Sequence, residues 1–509
     1  MHPANETYKM VSEDELVGKA AALMKGRAIL RTMFACDERE LDGTLKLYAV
    51  FSVHGEDRFE TLVQDVKDYG EGPTFMSITH AVPAAHWYER EIKDMFGITP
   101  DGHPDTRGLV LHGMYPEVAR PLMRDRSHEE LRRLIDLTRE DPYKYMEVKG
   151  EGVYEIPVGP VHAGIIEPGH FRFSAVGETI YYLDPRLFYT HKGIEKQFET
   201  VGFLRGVALA ERVSGCSSFS HGAAYCHAVE RMAGISLPVK ASVTRTLLIE
   251  LERLYNHIGD IGNMCAGTGF AVGYAKGASI KETLMRLNER LTKSRYLRGV
   301  NTVGGVEADV LKHADDILLT LDRVKEEYKS FMEFLLSSIS HIERLEGTGI
   351  LSKSIAHSLG ATGVAARGSG IGDDIRRAHP HLHYDRVVFE THTHAKGDVL
   401  ARMMVRADEA GCSFSIIEAL LETPYKGLLK TDPGQVSPRR QALGYVEGPR
   451  GSIFYWVKSG DKGEPLRVKV RSASYCNWPL LPFAASGNIV PDFPLVNKSF
   501  NLSYSGCDI

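Results

Sequence analysis

Several features that would assign a function directly are absent from this 509-residue chain. No stretch reaches about 18 uninterrupted apolar residues, so no transmembrane helix is predicted. The formal net charge is −5 at pH 7, whereas a general nucleic-acid-binding protein would carry a large positive excess. Residues 1–6 lack the basic and then apolar layout of a secretory signal peptide. Any membrane contact would therefore be made through partner proteins.

Cysteine is scarce, and no two cysteines form a C-x-x-C pair. The seven cysteines are Cys36, Cys216, Cys226, Cys265, Cys412, Cys476 and Cys507. An odd number of dispersed thiols is typical of a reducing compartment, where cysteine serves as a small apolar residue. The chain by itself therefore has no recognisable site for an iron–sulfur cluster.

The composition is that of a globular protein with more than one domain. The pattern of the sequence predicts an α+β fold in which residues 1–126 form an α+β module and residues 127–152 form a helix and linker. Residues 153–509 are expected to form a mainly α domain that also contains a small antiparallel sheet. A strand is predicted at 48–53, and a hairpin is predicted to join 452–457 to 466–470 across glycines near 460–463.

One segment of the second part has a clear helical period. Its apolar stripe consists of Leu247, Leu251, Leu254, Ile258 and Ile261. The opposite face carries Glu250, Arg253, His257 and Asp260. Such a polar face is unusual for a helix inside a large domain. Another long helix is predicted over 313–342.

Residues 87–97 read WYEREIKDMFG and predict a helix that ends at a C-terminal glycine cap, Gly97. This segment resembles the signature of the smaller peripheral-arm subunit of complex I. In that family the motif is structural and lies at an interface, which agrees with the prediction from the residues alone.

The second part resembles the large subunit of membrane-bound nickel–iron hydrogenases of the formate hydrogenlyase type. It also resembles the related complex I subunit that frames the quinone cavity. The matching segments are 159–162 (GPVH), 167–171 (EPGHF), 189–196 (YTHKGIEK), 250–257 (ELERLYNH), 367–370 (RGSG) and 444–451 (GYVEGPRG). Their order, together with the fused first module, is that of the formate hydrogenlyase large subunit.

The sequence departs from the hydrogenases at all four positions where the resemblance implies nickel-binding cysteines. These positions are occupied by Ser214, Ser217, Ser503 and Gly506. A serine hydroxyl is a poor ligand for a soft transition metal, so we do not expect nickel. Cys216 and Cys507 each lie one residue from a lost ligand, and the alternative is a hydrogenase whose nickel site these two thiols rebuild.

The resemblance also implies candidate catalytic residues. His162 and His170 lie in the loop whose histidine contacts the quinone head in complex I, and Glu167 stands where hydrogenases keep a proton-relay glutamate. Arg367 and Asp374 belong to a segment that lies near the buried site in relatives. Gly215 aligns with the position of the quinone-contacting tyrosine, which weakens the quinone hypothesis. A second interpretation of the two histidines is that backbone groups of the loop cap them.

Two other patterns are interpreted as structural. The glycines of 368–372 resemble a phosphate loop, but no clear strand precedes them. The histidine-rich segment 379–394 has a spacing that permits zinc binding, but no cysteine or clear carboxylate accompanies it. We expect this segment to be a solvated loop.

The sequence therefore predicts a peripheral subunit on the cytoplasmic face of the cell membrane, within a complex I-like oxidoreductase that moves protons or other cations. The resemblance implies an iron–sulfur small subunit and antiporter-like membrane subunits as partners. This chain itself is expected to bind no cofactor, with quinone as a candidate acceptor. The main alternative is a non-catalytic scaffold subunit.

Overall fold

The computed structural model describes residues 4–67, 70, 72–136, 143–163 and 166–509. Residues 137–142 of the predicted linker and residues 164–165 of the first loop lie outside these ranges. Helices and short sheets alternate along the described chain, and the α+β class predicted from the sequence is confirmed.

The N-terminal module is built around one four-stranded sheet with the order β1-β4-β3-β2. Its elements are β1 Glu6–Met10, α1 Glu13–Lys25, β2 Ile29–Glu38, α2 Arg39–Asp42, β3 Thr44–Ser52, β4 Phe59–Val66, β5 Thr74–Met76, α3 His86–Phe96, β6 Thr99–Asp101 and α4 His128–Leu134. Strand β3 pairs antiparallel with both β2 and β4, whereas β1 is parallel to β4. The cap at Gly97 is confirmed: its φ of 70° is left-handed, and its N–H donates to the carbonyl oxygen of Lys93.

The second part is mainly helical. Its elements are β7 Val153–Val158, β8 His170–Val176, β9 Thr179–Arg186, α5 Ile194–Val201, α6 Gly206–Ala210, α7 Ser218–Ala233, α8 Val239–Gly267, α9 Ala271–Thr292, β10 Asn301–Thr302, β11 Gly305–Val306, α10 Ala314–Leu336, α11 Ile339–Leu345, α12 Lys353–Ser358, α13 Gly363–Gly368, α14 Ile375–Ala378, α15 Val399–Leu421, β12 Gln441–Gly448, β13 Gly451–Ser459, β14 Pro465–Arg471, α16 Ala473–Asn477, α17 Leu481–Ala485, α18 Phe493–Phe500 and α19 Tyr504–Asp508. Two three-stranded antiparallel sheets, β7-β8-β9 and β12-β13-β14, flank the helices.

Helix α8 is the central helix of this part, and it packs against α9, α15 and α18. Its apolar stripe is buried as the sequence predicts, and its polar face is buried as well. A helix that is buried on all sides is normally apolar throughout. The polar face of α8 therefore needs partners inside the protein, and these partners form much of the candidate site.

The single helix predicted over 313–342 is wrong, because the structure contains two. Helix α10 ends at Leu336 and α11 begins at Ile339. Between them, the Ser337 hydroxyl donates to the carbonyl oxygen of Phe334, and Ser338 is extended. Serine side chains that bond to nearby backbone groups compete with the helical pattern, which explains the break.

Ion pairs attach the N-terminal module to the second part. Arg31 binds both carboxylate oxygens of Asp373, at 2.6 and 2.8 Å, and Glu6 pairs with Arg231 at 2.6 Å. One apolar core also includes residues from both parts. None of the helices in the described ranges is long and apolar enough to cross a bilayer.

Candidate active site

The four positions that lack cysteine come together in the structure although they lie far apart in sequence. Ser214 precedes the 3-10 turn that leads into α7, and Ser503 is the N-cap residue of α19. The Ser214 hydroxyl donates to Ser503 Oγ at 3.0 Å, and the Gly506 N–H donates to the same oxygen at 2.9 Å. Ser217 joins Ser214 and Gly506 in lining one cavity of about 10 Å³. We call this cavity and the four positions the vacated centre.

The groups at the vacated centre do not fit a nickel ion. Three of the four positions carry serine hydroxyls and the fourth is a glycine, and hydroxyls have little affinity for a soft metal. Cys216 lies beside it, with Sγ 3.0 Å from Ser214 Oγ, but Cys507 is fully buried and does not line the cavity. Within the described ranges, no group of three or more His, Cys, Asp or Glu side chains is arranged to hold a metal ion.

His221 also lines the vacated centre, although no sequence motif marks it as a functional residue. It lies one turn into α7 and is fully buried. Its Nδ1 is 2.9 Å from the Tyr455 hydroxyl, and its Nε2 has no hydrogen-bond partner. Burial lowers the pKa of the imidazole to about 3, so His221 is neutral. The only sequence signal is its position four residues after Ser217.

The first-loop residues lie at different distances from this centre. Glu167 does not line the cavity but contacts the segment that carries two of the four positions: its Oε2 accepts a 2.9 Å hydrogen bond from the N–H of Ser505, between Ser503 and Gly506. The two histidines contact the backbone of their own loop: His162 Nε2 lies 2.7 Å from the Gly169 oxygen, and His170 Nδ1 lies 3.2 Å from the Gly159 oxygen. This is the capped arrangement of the second interpretation.

Arg367 and Asp374 do not line the vacated centre but belong to a buried network of charges behind it. Arg367 donates to Glu409 at 2.6 Å and to Glu447 at 2.9 Å. Asp374 caps α14 and pairs with Arg376 at 2.7 Å. All five side chains are at most 4% exposed. Burying such charges is tolerated only when each is paired and hydrogen-bonded.

The polar face of α8 joins this network to the vacated centre. Arg253 pairs with Glu250 at 3.1 Å and donates to the carbonyl oxygen of Gly448, which lines the cavity. One turn on, the Asn256 side chain donates to the Cys216 oxygen and accepts from Arg450. This arrangement explains the unusual sequence of the helix. We call the buried ion pairs of Glu250, Arg253, His257, Arg367, Asp374, Arg376, Glu409 and Glu447 the ion network.

Three carboxyl groups in this region titrate near neutral pH. Burial raises the pKa values of Glu252 and Glu447 to about 7, and it does the same for Glu211. Glu252 accepts hydrogen bonds from the N–H groups of Phe219 and Ser220 at the start of α7. Groups with pKa values near the working pH can both bind and release protons.

The prediction of a solvated histidine loop is wrong for its first part. His379 and His381 are buried. His379 stacks on Phe59 at 3.8 Å between ring centroids, and its Nδ1 is 2.8 Å from Asp57. His379 is covered in part by residues of the N-terminal module, whereas the ring of His381 packs against His227 and Tyr445 of the second part. The local sequence does not reveal either set of contacts.

Comparisons with known proteins agree with this architecture. Residues 10–132 match the family model of the 30 Kd subunit of respiratory-chain NADH dehydrogenase. Residues 267–439 and 427–509 match that of the 49 Kd subunit. Formate hydrogenlyase subunit 5 of Escherichia coli (strain K12) is 36% identical over 94% of this chain and 84% of its own length. The chain belongs to the family of fused large subunits shared by membrane-bound hydrogenases and complex I.

Other relatives come from both branches of this family. Hydrogenase-4 component G of the same bacterium is 36% identical over 94% of this chain and 83% of its own length. An NADH-quinone oxidoreductase subunit of Phocaeicola vulgatus is 31% identical over 79% of this chain and 80% of its own length. Among solved structures, a chain of the archaeal membrane-bound sulfane sulfur reductase is similar, with a TM-score of 0.66 and 28% identity. That match covers 70% of this chain and 99% of the other.

Proposed function

We propose that this chain is a nickel-free large subunit of a membrane-anchored oxidoreductase that couples electron transfer to proton or cation translocation. The observation that carries the proposal is the direct hydrogen bond between Ser214 and Ser503, at two positions where the resemblance implies metal ligands. The buried ion network lies next to this bond. Its partners would be an iron–sulfur small subunit and antiporter-like membrane subunits, and it would lie at the cytoplasmic face of the membrane.

The position of buried carboxyl groups that can bind and release protons supports the coupling role. Electrons would arrive from the iron–sulfur cluster of the partner and change the charge beside the vacated centre. Glu252 and Glu447 are buried and have pKa values near 7, so a nearby change of charge would alter their proton occupancy. Arg253 contacts both the ion network and the wall of the cavity, which supplies a path for this electrostatic effect.

The size of the vacated centre argues against quinone as its occupant. A cavity of about 10 Å³ is far below the roughly 300 Å³ at which ligand pockets begin. The first-loop histidines are also held by backbone oxygens. A quinone acceptor would therefore have to bind where this chain meets its small subunit.

A second candidate function is the reduction of sulfur–sulfur bonds, which the name of the archaeal relative suggests. The observation that favours it is the partly exposed thiol of Cys216, beside the Ser214 hydroxyl. Arg450 supplies a positive charge near the same thiol. A thiolate at this position would attack a sulfur–sulfur bond: the Cys216–sulfur bond forms as the sulfur–sulfur bond breaks, and the displaced sulfur leaves as a thiolate or sulfide. Two electrons from the iron–sulfur cluster of the partner would then restore the thiol and release the second sulfur.

The first test is the nickel and iron content per copy of this subunit in the native membrane complex. We expect iron from the partner cluster and no nickel. Stoichiometric nickel would overturn the proposal and support a site rebuilt by Cys216 and Cys507.

The rival scaffold role requires a separate test. Glu447→Gln should preserve electron transfer in the complex and reduce ion translocation in sealed vesicles, with the exposed Glu326→Gln as the matched control. Unchanged translocation in Glu447→Gln, together with unchanged translocation in Glu252→Gln, would favour a scaffold.

A further inference from the structure

The cavity of the vacated centre is rich in hydrogen-bond donors and has no carboxylate in its wall. The donor-bearing side chains that line it are Ser214, Ser217, His221, Arg450, Ser472 and Ser474. The other lining residues are glycine, proline, alanine and isoleucine. A cation would meet no negative side chain there, whereas an anion would meet donors on several sides.

The imidazole of His221 presents a donor to this cavity. The Tyr455 hydroxyl has no acceptor other than His221 Nδ1 among the described residues, and burial keeps the pKa of this phenol well above its usual value. The phenol proton is therefore donated to Nδ1. In a neutral imidazole the other nitrogen then carries the hydrogen, so the unpartnered group at Nε2 is an N–H.

Two serine hydroxyls add donors of the same kind. Ser472 Oγ accepts from the N–H of Tyr475 at 3.1 Å, and Ser474 Oγ accepts from the N–H of Ser503 at 3.0 Å. Both residues are 3% exposed. Across the described part of the chain, neither hydroxyl donates to a protein acceptor, so each has a proton available for an occupant of the cavity.

Positive charge is available beside these donors. Arg450 is 9% exposed, and its nearest carboxylate is Asp260, with a separation of 3.5 Å. The 16-residue helix α7 begins at Ser218, directly after Ser217, so its positive end lies at the cavity. Neither feature alone would define a site, but the buried Nε2–H of His221 points to a missing acceptor.

We propose that the vacated centre binds a monoanion with one non-hydrogen atom, either a halide or hydrosulfide, at the position where the resemblance implies a metal. The space of about 10 Å³ is enough for one small occupant and excludes larger anions such as sulfate or phosphate. A halide, which is larger than water, would fill it in close contact with the donors. The anion would accept hydrogen bonds from His221, Ser472 and Ser474 and be balanced by Arg450. This inference rests on the proposed function, because it requires a nickel-free centre.

The test uses the complete chain in its purified complex, with bromide as the probe. Bromide would be located by its anomalous X-ray scattering, and its affinity measured by titration at constant ionic strength. We expect one bromide in contact with His221. Because each lost hydrogen bond costs about 1 kcal/mol or more, the dissociation constant should rise about tenfold in His221→Phe and several-fold in Ser474→Ala.

The matched control is Ser369→Ala, another buried serine, whose hydroxyl donates to Leu351 outside this cavity. Its bromide affinity should be unchanged. If the cavity shows only water, or if Ser474→Ala binds as tightly as the wild type, the proposal is overturned. Ser474→Ala keeps the test decisive even where His221→Phe does not fold.

Competition identifies the anion. If hydrosulfide displaces bromide at a lower concentration than chloride does, the occupant is hydrosulfide. If chloride displaces bromide at the lower concentration, the occupant is a halide. Absence of bromide from a nickel-free complex would reject the anion site and leave the proposed function standing. Nickel in the native complex would reject the proposed function first.

Discussion

The vacated centre and the ion network lie next to each other in the second part of the chain, yet they differ in the charge of their side chains. At the vacated centre, the positions where the resemblance implies metal-binding cysteines carry neutral serines or glycine, and two of these serines bond to each other. In the ion network, the arginines, the carboxylates and the single histidine, His257, are buried and paired.

The difference follows from the cost of burying charge. A neutral hydroxyl needs one or two hydrogen bonds, and neighbouring side-chain or backbone groups can supply them. A buried ion that loses its partner remains an unpaired charge in a medium of low polarity, which is strongly destabilising. The centre could therefore change one residue at a time, whereas the ion network can change only as a unit.

The most extreme test of this comparison restores the thiols. A variant with Ser214→Cys, Ser217→Cys, Ser503→Cys and Gly506→Cys should bind Co²⁺ or Zn²⁺, because four thiolates in tetrahedral sites bind such ions with roughly 10 kcal/mol or more. A side chain at position 506 would lie 3.0 Å from Ser503 Oγ and 3.2 Å from Ser214 Cβ, so a small local shift is needed. Cobalt–thiolate absorption is the measurement.

The control for this variant retains Ser503 and changes the other three positions. It should bind cobalt more weakly, with a weaker thiolate band. Equal absorption in both proteins would mean that Ser503 does not face the common centre.

The ion network should respond strongly to a single break. Arg367→Met removes the ion-pair partner of Glu447 and one of the three partners of Glu409, which keeps His257 and Arg253. Breaking a buried pair in this way costs about 3–5 kcal/mol. The free energy of unfolding of the chain, measured by denaturant titration, should fall by that amount.

The matched control is Arg323→Met, which breaks a solvent-exposed pair with Glu327 on α10. Its free energy of unfolding should not change measurably, because exposed pairs contribute little. If the two variants lost equal stability, burial would not be the cause of the difference between the regions.

The pH dependence of stability should reveal the raised carboxyl pKa values. Glu252 keeps its proton to about pH 7 in the folded chain, against an ordinary pKa of 4.5. The folded state therefore binds more protons between these values, and this group makes the free energy of unfolding fall as the pH rises through the window. Glu252→Gln should show a smaller fall between about pH 5 and about pH 7.

Unfolding titrations at several pH values check this sign, with the exposed Glu326→Gln as control. The control should retain the wild-type dependence. A steeper fall in Glu252→Gln than in the wild type would contradict the assignment of a protonated carboxyl at this position.

The smallest effect is expected at the vacated centre itself. Ser214→Ala removes the hydrogen bond to Ser503 and should lower the free energy of unfolding by about 1 kcal/mol. The double variant Ser214→Ala with Ser503→Ala should lose less than the sum of the two single variants, because both single changes remove the same bond. Strict additivity would indicate that this bond contributes nothing.

Part of this architecture could be predicted from local sequence. The glycine cap at Gly97, the hairpin of β13 and β14 and the helical stripe of α8 all depend on residues that are close along the chain. The break between α10 and α11 could not be predicted, because the low helix propensity of two serines is weak evidence against a helix when the apolar pattern continues through them. The burial of His379 could not be predicted either, because Phe59, which stacks on it, lies 320 residues earlier in the chain.

The sequence by itself determined that no cysteine occupies the four positions where the resemblance implies nickel ligands, since ligand chemistry depends on residue type. It also determined that α8 has a polar face, which follows from helical periodicity. Only the tertiary structure decided that Ser214 bonds to Ser503 across a separation of 289 residues and that His221 faces the same cavity. It also decided which glutamate meets which arginine. Such contacts depend on packing between distant segments, and no local pattern in the chain encodes their geometry.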